Sequence, residues 1–260
     1  MTSSVGRLSQ AGEIPIVIGN RGPSDVNIGQ LFHGCRDVSC NSLQDSTSSQ
    51  IHGCHIRLGL FNARSVAGKS AAFQQWIKDT KLSLAALVET WHDDASSPQL
   101  IACAPPGFRY VESARPRNNL STNHGGICLF YGPSLYARTV QLPVFATFEA
   151  VAAFIHRAGF KAVVVIVYRP GSCGATQTFY DDFSDMLERL STFSAPLMIA
   201  GDFNIHVDDE TDVHACKLTD LLACMVGGGC PLVSEIFDQS DPPPSKRALS
   251  SLYSLVAPQA

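Results

Sequence analysis

Apolar residues follow two different periods through the middle of the chain. Residues 56–61 alternate apolar and polar between polar flanks, which predicts a strand. At 70–78 the spacing changes: Phe73, Trp76 and Ile77 stand at i, i+3 and i+4, one apolar face of a helix. A second, buried strand is predicted at 82–88, and further strands at 108–111, 126–131, 148–155 and 160–167, the last dominated by β-branched residues. Residues 176–190 return to helical spacing, with Phe179, Phe183, Met186, Leu187 and Leu190 on one face. Pro196 to Ala200 is a short buried strand that runs into Gly201-Asp202-Phe203-Asn204. A helix at 211–225, with Leu218, Leu221, Leu222 and Met225 on one side, closes the pattern. Strands interleaved with one-sided helices predict an α/β (α+β) architecture of two packed mixed sheets between helical layers.

The ends of the chain lack such periods. Residues 1–54 are rich in Ser, Gly, Gln and Asn and read as a mostly disordered leader. The ordered domain is expected over 55–226. Gly227-Gly228-Gly229 and Asp241-Pro242-Pro243-Pro244-Ser245 mark 227–260 as a divergent, disordered tail. An apolar fraction of 45% against 16% charged residues suits a globular domain. The net charge of −4 gives no global field that would draw in a polyanion, so a nucleic-acid substrate would need a local patch and a bound metal ion. Nine cysteines, an odd number with no C-x-x-C spacing, and an N-terminus without a basic start and apolar core predict free thiols in the nucleus or cytoplasm, neither secreted nor membrane-bound. A zinc site from Cys35, Cys40, Cys54 and His52 or His55 fits no common ligand spacing. No protein partner is legible.

Polar residues recur where the apolar strands end. Asn62 follows Leu58 to Phe61, Glu89 follows Leu84 to Val88, Tyr168 and Arg169 follow Val163 to Val167, and Asp202 and Asn204 follow Leu197 to Gly201. Strand ends are where a rigid sheet holds side chains in fixed mutual geometry. Each taken alone has an ordinary explanation: an acid after a strand caps a turn, and Tyr-Arg-Pro is a natural strand exit. The joint order carries more weight than any member.

In that order the sequence resembles the endonuclease/exonuclease/phosphatase superfamily, in the version found as the endonuclease domain of LINE-type (non-LTR) retrotransposons. The matching stretches are LGLFNARS ending at Ser65, LVETW at 87–91, HGGICLFY at 124–131, VYRP at 167–170 and AGDFNIHVDD at 200–209, within residues 55–225. The resemblance implies a four-layer α/β/β/α sandwich and one or two divalent ions, normally Mg2+ with Mn2+ as a substitute. It implies that Glu89 holds the metal and that Asn62 lies beside it. Asp202 would position or deprotonate the attacking water, with Asn204 and Tyr168 orienting Asp202 and bonding phosphate oxygens. The reaction would be in-line phosphodiester hydrolysis, with DNA as the expected partner and substrate, and positioning and charge stabilisation supplying most of the acceleration.

The pattern stops short at its end. The family closes on a Ser-Asp-His run on a later strand, which this sequence lacks after Asn204, so the last strands of the sandwich are expected to be missing and activity to be impaired. Two other functions remain open: a non-catalytic nucleic-acid-binding remnant, and hydrolysis of another phosphoester such as a phosphoinositide. Arg115, Arg117 and Arg169 are candidate substrate-binding residues, although Arg115-Pro116-Arg117-Asn118-Asn119 reads more readily as an ordinary solvated loop than as a phosphate contact.

Overall fold

The computed structural model describes residues 55–115, 124–172, 174–207, 209 and 211–225, with three short strands outside that core. In chain order the elements are β1 (Ile16–Ile18), β2 (Arg36–Ser39), β3 (His55–Asn62), α1 (Ser70–Asp79), β4 (Leu84–Val88), α2 (Pro98–Ile101), β5 (Arg109–Ser113), β6 (Ile127–Tyr131), β7 (Tyr136–Val140), β8 (Glu149–Arg157), β9 (Phe160–Tyr168), α3 (Gln177–Ser191), β10 (Leu197–Asp202), α4 (Val213–Met225) and β11 (Leu255–Val256). One sheet has the order β1-β10-β9-β8-β7, and β11 also pairs with β10; the other has the order β2-β3-β4-β6-β5. Both sheets are mixed. β3 and β4 run parallel, as do β9 and β10, while β4–β6, β5–β6, β7–β8 and β8–β9 are antiparallel.

Strand alternation explains why the central strands are apolar throughout. Along β9, Ala162, Val164, Ile166 and Tyr168 join the core between the two sheets, with Leu84, Ala86 and Val88 of β4 opposite. The residues between them, Val163, Val165 and Val167, pack outward against Phe179, Phe183, Met186 and Leu187 of α3 and Leu218 and Leu222 of α4. On the other side Ala85 and Leu87 meet Phe73, Trp76 and Ile77 of α1. A strand buried on both faces has no polar side to show, so it reads as a continuous run. The result is the predicted sandwich: helix, sheet, sheet, helix.

Besides β1, β2 and β11, which fall in the stretches read as leader and tail, two elements inside the core were not legible. β7 is an edge strand with only Val140 buried, and α2 is a single turn opened by Pro98 and soon followed by Pro105-Pro106-Gly107. Where the sequence predicts a missing edge after β10, β1 and β11 pair with β10, so that edge is not bare. Apart from β1, β2 and β11, the leader and tail lie outside the described residues. Cys103 and Cys128 are buried free thiols, and burial pushes Cys103 up to about 11. No helix among the described residues is long and apolar enough to cross a membrane.

Candidate active site

Parallel pairing brings strand ends to a common rim. Asn62 lies opposite Val88 in the β3–β4 register, so Glu89 leaves that sheet beside it. In the other sheet Tyr168 lies opposite Asp202, the last residues of β9 and β10. The two rims meet at one amide: Asn62 Nδ2 donates to Glu89 Oε1 at 2.8 Å and to Asp202 Oδ2 at 2.9 Å. Tyr168 crosses from its sheet to donate its hydroxyl to Glu89 Oε1 at 2.9 Å. Asn204 closes the group by donating its backbone N–H to Asp202 Oδ1 at 3.1 Å.

The turns that carry these residues are strained. Glu89, Trp91 and Asn204 have φ of 52°, 55° and 49°, and Arg64 and Ser65, just after Asn62, have 41° and 79°. Positive φ in a non-glycine residue costs on the order of 1–3 kcal/mol and persists where surrounding bonds enforce it. Here the bonds are explicit. Ala63 and Ser65 donate their N–H groups to Val88 O and Glu89 O, and Thr90 and Trp91 donate theirs to Gly126 O and Gly125 O. Lys69 Nζ donates to Ala63 O and Arg64 O, tying the loop after Asn62. On the other sheet Arg169 Nε donates to Phe203 O at 2.6 Å and its Nη2 to Asn204 O at 2.7 Å, while Asn204 Nδ2 donates to Arg169 O at 2.6 Å.

Electrostatically the cluster is anionic and dry. Glu89 is 8% exposed and Asp202 1% exposed. Among the described residues the donors to Glu89 are neutral, the Asn62 amide and the Tyr168 phenol. Burial first, and then the charge of Glu89, hold the Tyr168 hydroxyl well above its ordinary range, so it stays a neutral donor. Two buried carboxylates around one amide are a donor set that suits a hard divalent cation. No group of three or more His, Cys, Asp or Glu side chains with metal-site geometry occurs among the described residues. A cation here would therefore rest on Glu89 and Asp202, with amide and water oxygens completing its shell.

The structure thus brings together Asn62, Glu89, Tyr168, Asp202 and Asn204, all singled out from the sequence. The three arginines separate. Arg169 is 4% exposed and works beneath the site, holding the 203–204 backbone and lying 5.5 Å from the Phe179 ring. Arg115 is part-exposed at the rim, paired with Glu149. Arg117 lies outside the described residues. Sequence reasoning missed Glu149 because it begins a strand rather than ends one. In an antiparallel pair the start of one strand faces the end of its neighbour, and Glu149 lies opposite Tyr168. It also missed a buried chain in which Thr90 Oγ1 bonds His92 Nδ1 at 2.6 Å and His92 Nε2 bonds Glu112 Oε2 at 2.8 Å. Gly126, with φ 93°, is the glycine this chain requires: a Cβ there would lie 2.6 Å from Thr90 Oγ1 and 2.9 Å from His92 Nδ1.

A sandwich of two mixed sheets with paired carboxylates at one rim defines a class, and comparison with known proteins identifies it. The sequence profile described as "Endonuclease/Exonuclease/phosphatase family" matches residues 56–250, and the chain belongs to that family. The match runs past residue 226 into the stretch read as a divergent tail. No curated protein matches the sequence. Among solved structures, the human Nocturnin catalytic domain with bound sulfate is 15% identical, with a TM-score of 0.52 over 78% of this chain and 81% of that one. The endonuclease domain of TRAS1, a telomere-specific non-LTR retrotransposon, is 14% identical, with a TM-score of 0.51 over 77% and 83% of the two chains. At these identities the likeness is one of fold.

Proposed function

We propose that this chain is a divalent-metal-dependent phosphodiester hydrolase of the DNA-endonuclease type, from the LINE-type branch of its family, working with Mg2+ or Mn2+. The observation that carries the reading is the Asn62 amide, which ties a carboxylate from each sheet into one site. When bound, the metal would supply charge stabilisation at the phosphate. Glu89 would hold it, and Asn62 would fix the angle between the two carboxylates. Asp202, aligned by the Asn204 N–H, would orient the attacking water; Tyr168 would donate to Glu89 or to a phosphate oxygen. Support for the retrotransposon branch comes from Asn62-Ala63-Arg64-Ser65 and Tyr168-Arg169-Pro170.

Turnover is expected to be slow. Residues 205–260 hold no Ser-Asp-His run. A positioned acid–base group typically contributes about 100- to 10,000-fold, or roughly 3–5 kcal/mol of barrier. The test of the metal assignment is Mn2+ binding, followed by water-proton relaxation. Weak binding that disappears in Glu89→Ala is expected; binding unchanged by that substitution rejects the site.

A further inference from the structure

We infer that Arg115, oriented by Glu149, is the group that receives a non-bridging phosphate oxygen of the substrate. The inference rests on the phosphoester-hydrolase reading above and adds to it the cation that carries the phosphate charge. Glu149 opens β8 directly opposite Tyr168. Its Oε2 accepts from Gly126 N at 2.6 Å, and its Oε1 takes both Nε and Nη2 of Arg115. The guanidinium carbon lies 5.7 Å from the centroid of the Tyr168 ring, and the hydroxyl of that ring lies 2.9 Å from Glu89 Oε1. One aromatic ring therefore separates the guanidinium from the carboxylate pair.

The placement is built rather than incidental. A Cβ on Gly125 would come within 2.3 Å of both Arg115 Nε and Glu149 Oε1, so the glycine preceding β6 makes room for the pair. The Arg115 side chain is 31% exposed and that of Glu149 16% exposed. An ion pair this exposed adds little to stability, which leaves orientation as its physical consequence. A guanidinium is a planar fork of five N–H donors. With Nε and Nη2 directed at one carboxylate oxygen, Nη1 meets no acceptor among the described residues, and the fork geometry suits phosphate oxygens. Arg169 differs on each count: it is buried, and its Nε and Nη2 donors are taken by Phe203 O and Asn204 O.

The test uses the full chain in two arms. In the first, binding to a labelled DNA duplex is followed by fluorescence anisotropy in chelator over a salt series. Arg115→Gln should bind more weakly and lower the magnitude of the salt slope by about 0.9, the share of one phosphate contact, whereas Arg115→Lys should keep the wild-type slope. In the second, hydrolysis of bis(p-nitrophenyl) phosphate with magnesium should fall on the order of 100-fold in kcat for Arg115→Lys and Arg115→Ala, as for loss of one charge-stabilising donor. Added guanidinium ion should restore part of the Arg115→Ala rate, and Glu149→Gln should lower kcat while keeping the salt slope. Equal slopes for wild type and Arg115→Gln overturn the inference. Wild type that hydrolyses no phosphoester rejects the reading beneath it, while the metal-free salt series still decides the role of Arg115.

Discussion

The two turns that carry the carboxylates meet the same demand by different means. Glu89 follows β4 in one sheet and Asp202 ends β10 in the other; both sit beside residues at positive φ and both reach Asn62. The Glu89 turn is held mainly by backbone, through Thr90 N and Trp91 N to the carbonyls of Gly126 and Gly125. The Asp202 turn has one such backbone bond, Arg169 N to Asp202 O, and is held mainly by side chains: the Arg169 guanidinium spans the carbonyls of Phe203 and Asn204, and Asn204 Nδ2 donates to Arg169 O. Backbone bonds survive most substitutions of the residues that make them. A turn hung on side chains weakens when one of them is removed, and Arg169 makes two of its bonds. The comparison teaches that the Glu89 side of the site is protected by the sheet, and the Asp202 side is exposed to single changes.

The largest effect should therefore come from Arg169→Ala. It strands the buried Phe203 carbonyl, worth about 1–3 kcal/mol when left unsatisfied, and the part-buried Asn204 carbonyl, so a stability loss of roughly 3 kcal/mol in denaturant melts is expected. Displacement of the 202–204 turn by about 1 Å should add on the order of a 100-fold loss in hydrolysis. Arg169→Lys should not rescue either property, because an ammonium cannot reproduce the planar fork. If Arg169→Ala melts like wild type, the contrast between the turns is wrong.

A smaller effect is expected on the other turn. Gly126→Ala must place a Cβ against Thr90 Oγ1 at φ 93°, and should cost about 1–3 kcal/mol of stability. Thr90→Val, which deletes the hydroxyl bonded to His92 but keeps the backbone bonds, should leave Mn2+ affinity within a few-fold of wild type. A loss of metal binding as complete as that of Glu89→Ala would show that the side-chain chain, and not the backbone, holds this turn.

How much of this was legible follows from how each residue is placed. Asn62, Glu89, Tyr168, Asp202 and Asn204 could be read because parallel strands put their ends at one rim, and a strand end is visible in sequence as an apolar run giving way to a polar residue. Glu149 could not, since only the antiparallel register with β9 brings the start of β8 to that rim. The separation of Arg115 from Arg169 was also hidden: both are cations near strand exits, and burial alone distinguishes them. β7 escaped because an edge strand with one buried residue carries no period.

Tyr168 joins the two sides and gives the smallest effect. Tyr168→Phe removes one hydrogen bond to Glu89, worth about 1 kcal/mol, and should reduce hydrolysis more than stability. Its raised pKa sets a sign. A phenol whose folded pKa lies above the unfolded value near ~10 stabilises the fold fully below that pH, and the contribution is lost as pH rises further. Wild type should lose stability above about pH 10, and Tyr168→Phe should lose less; equal alkaline losses would show that the Tyr168 hydroxyl is not held above its ordinary range.

The central claim, that Glu89 and Asp202 form one hydrolytic site, is tested most directly by plasmid nicking with magnesium against chelator. The wild-type chain, Glu89→Ala, Asp202→Ala and a hybrid chain with a family C-terminus bearing Ser-Asp-His would be compared. The account predicts slow magnesium-dependent nicking by wild type, faster by about 100- to 10,000-fold in the hybrid, and abolished in either chain by Glu89→Ala or Asp202→Ala. Nicking that survives both substitutions, or a hybrid no faster than wild type, would contradict it.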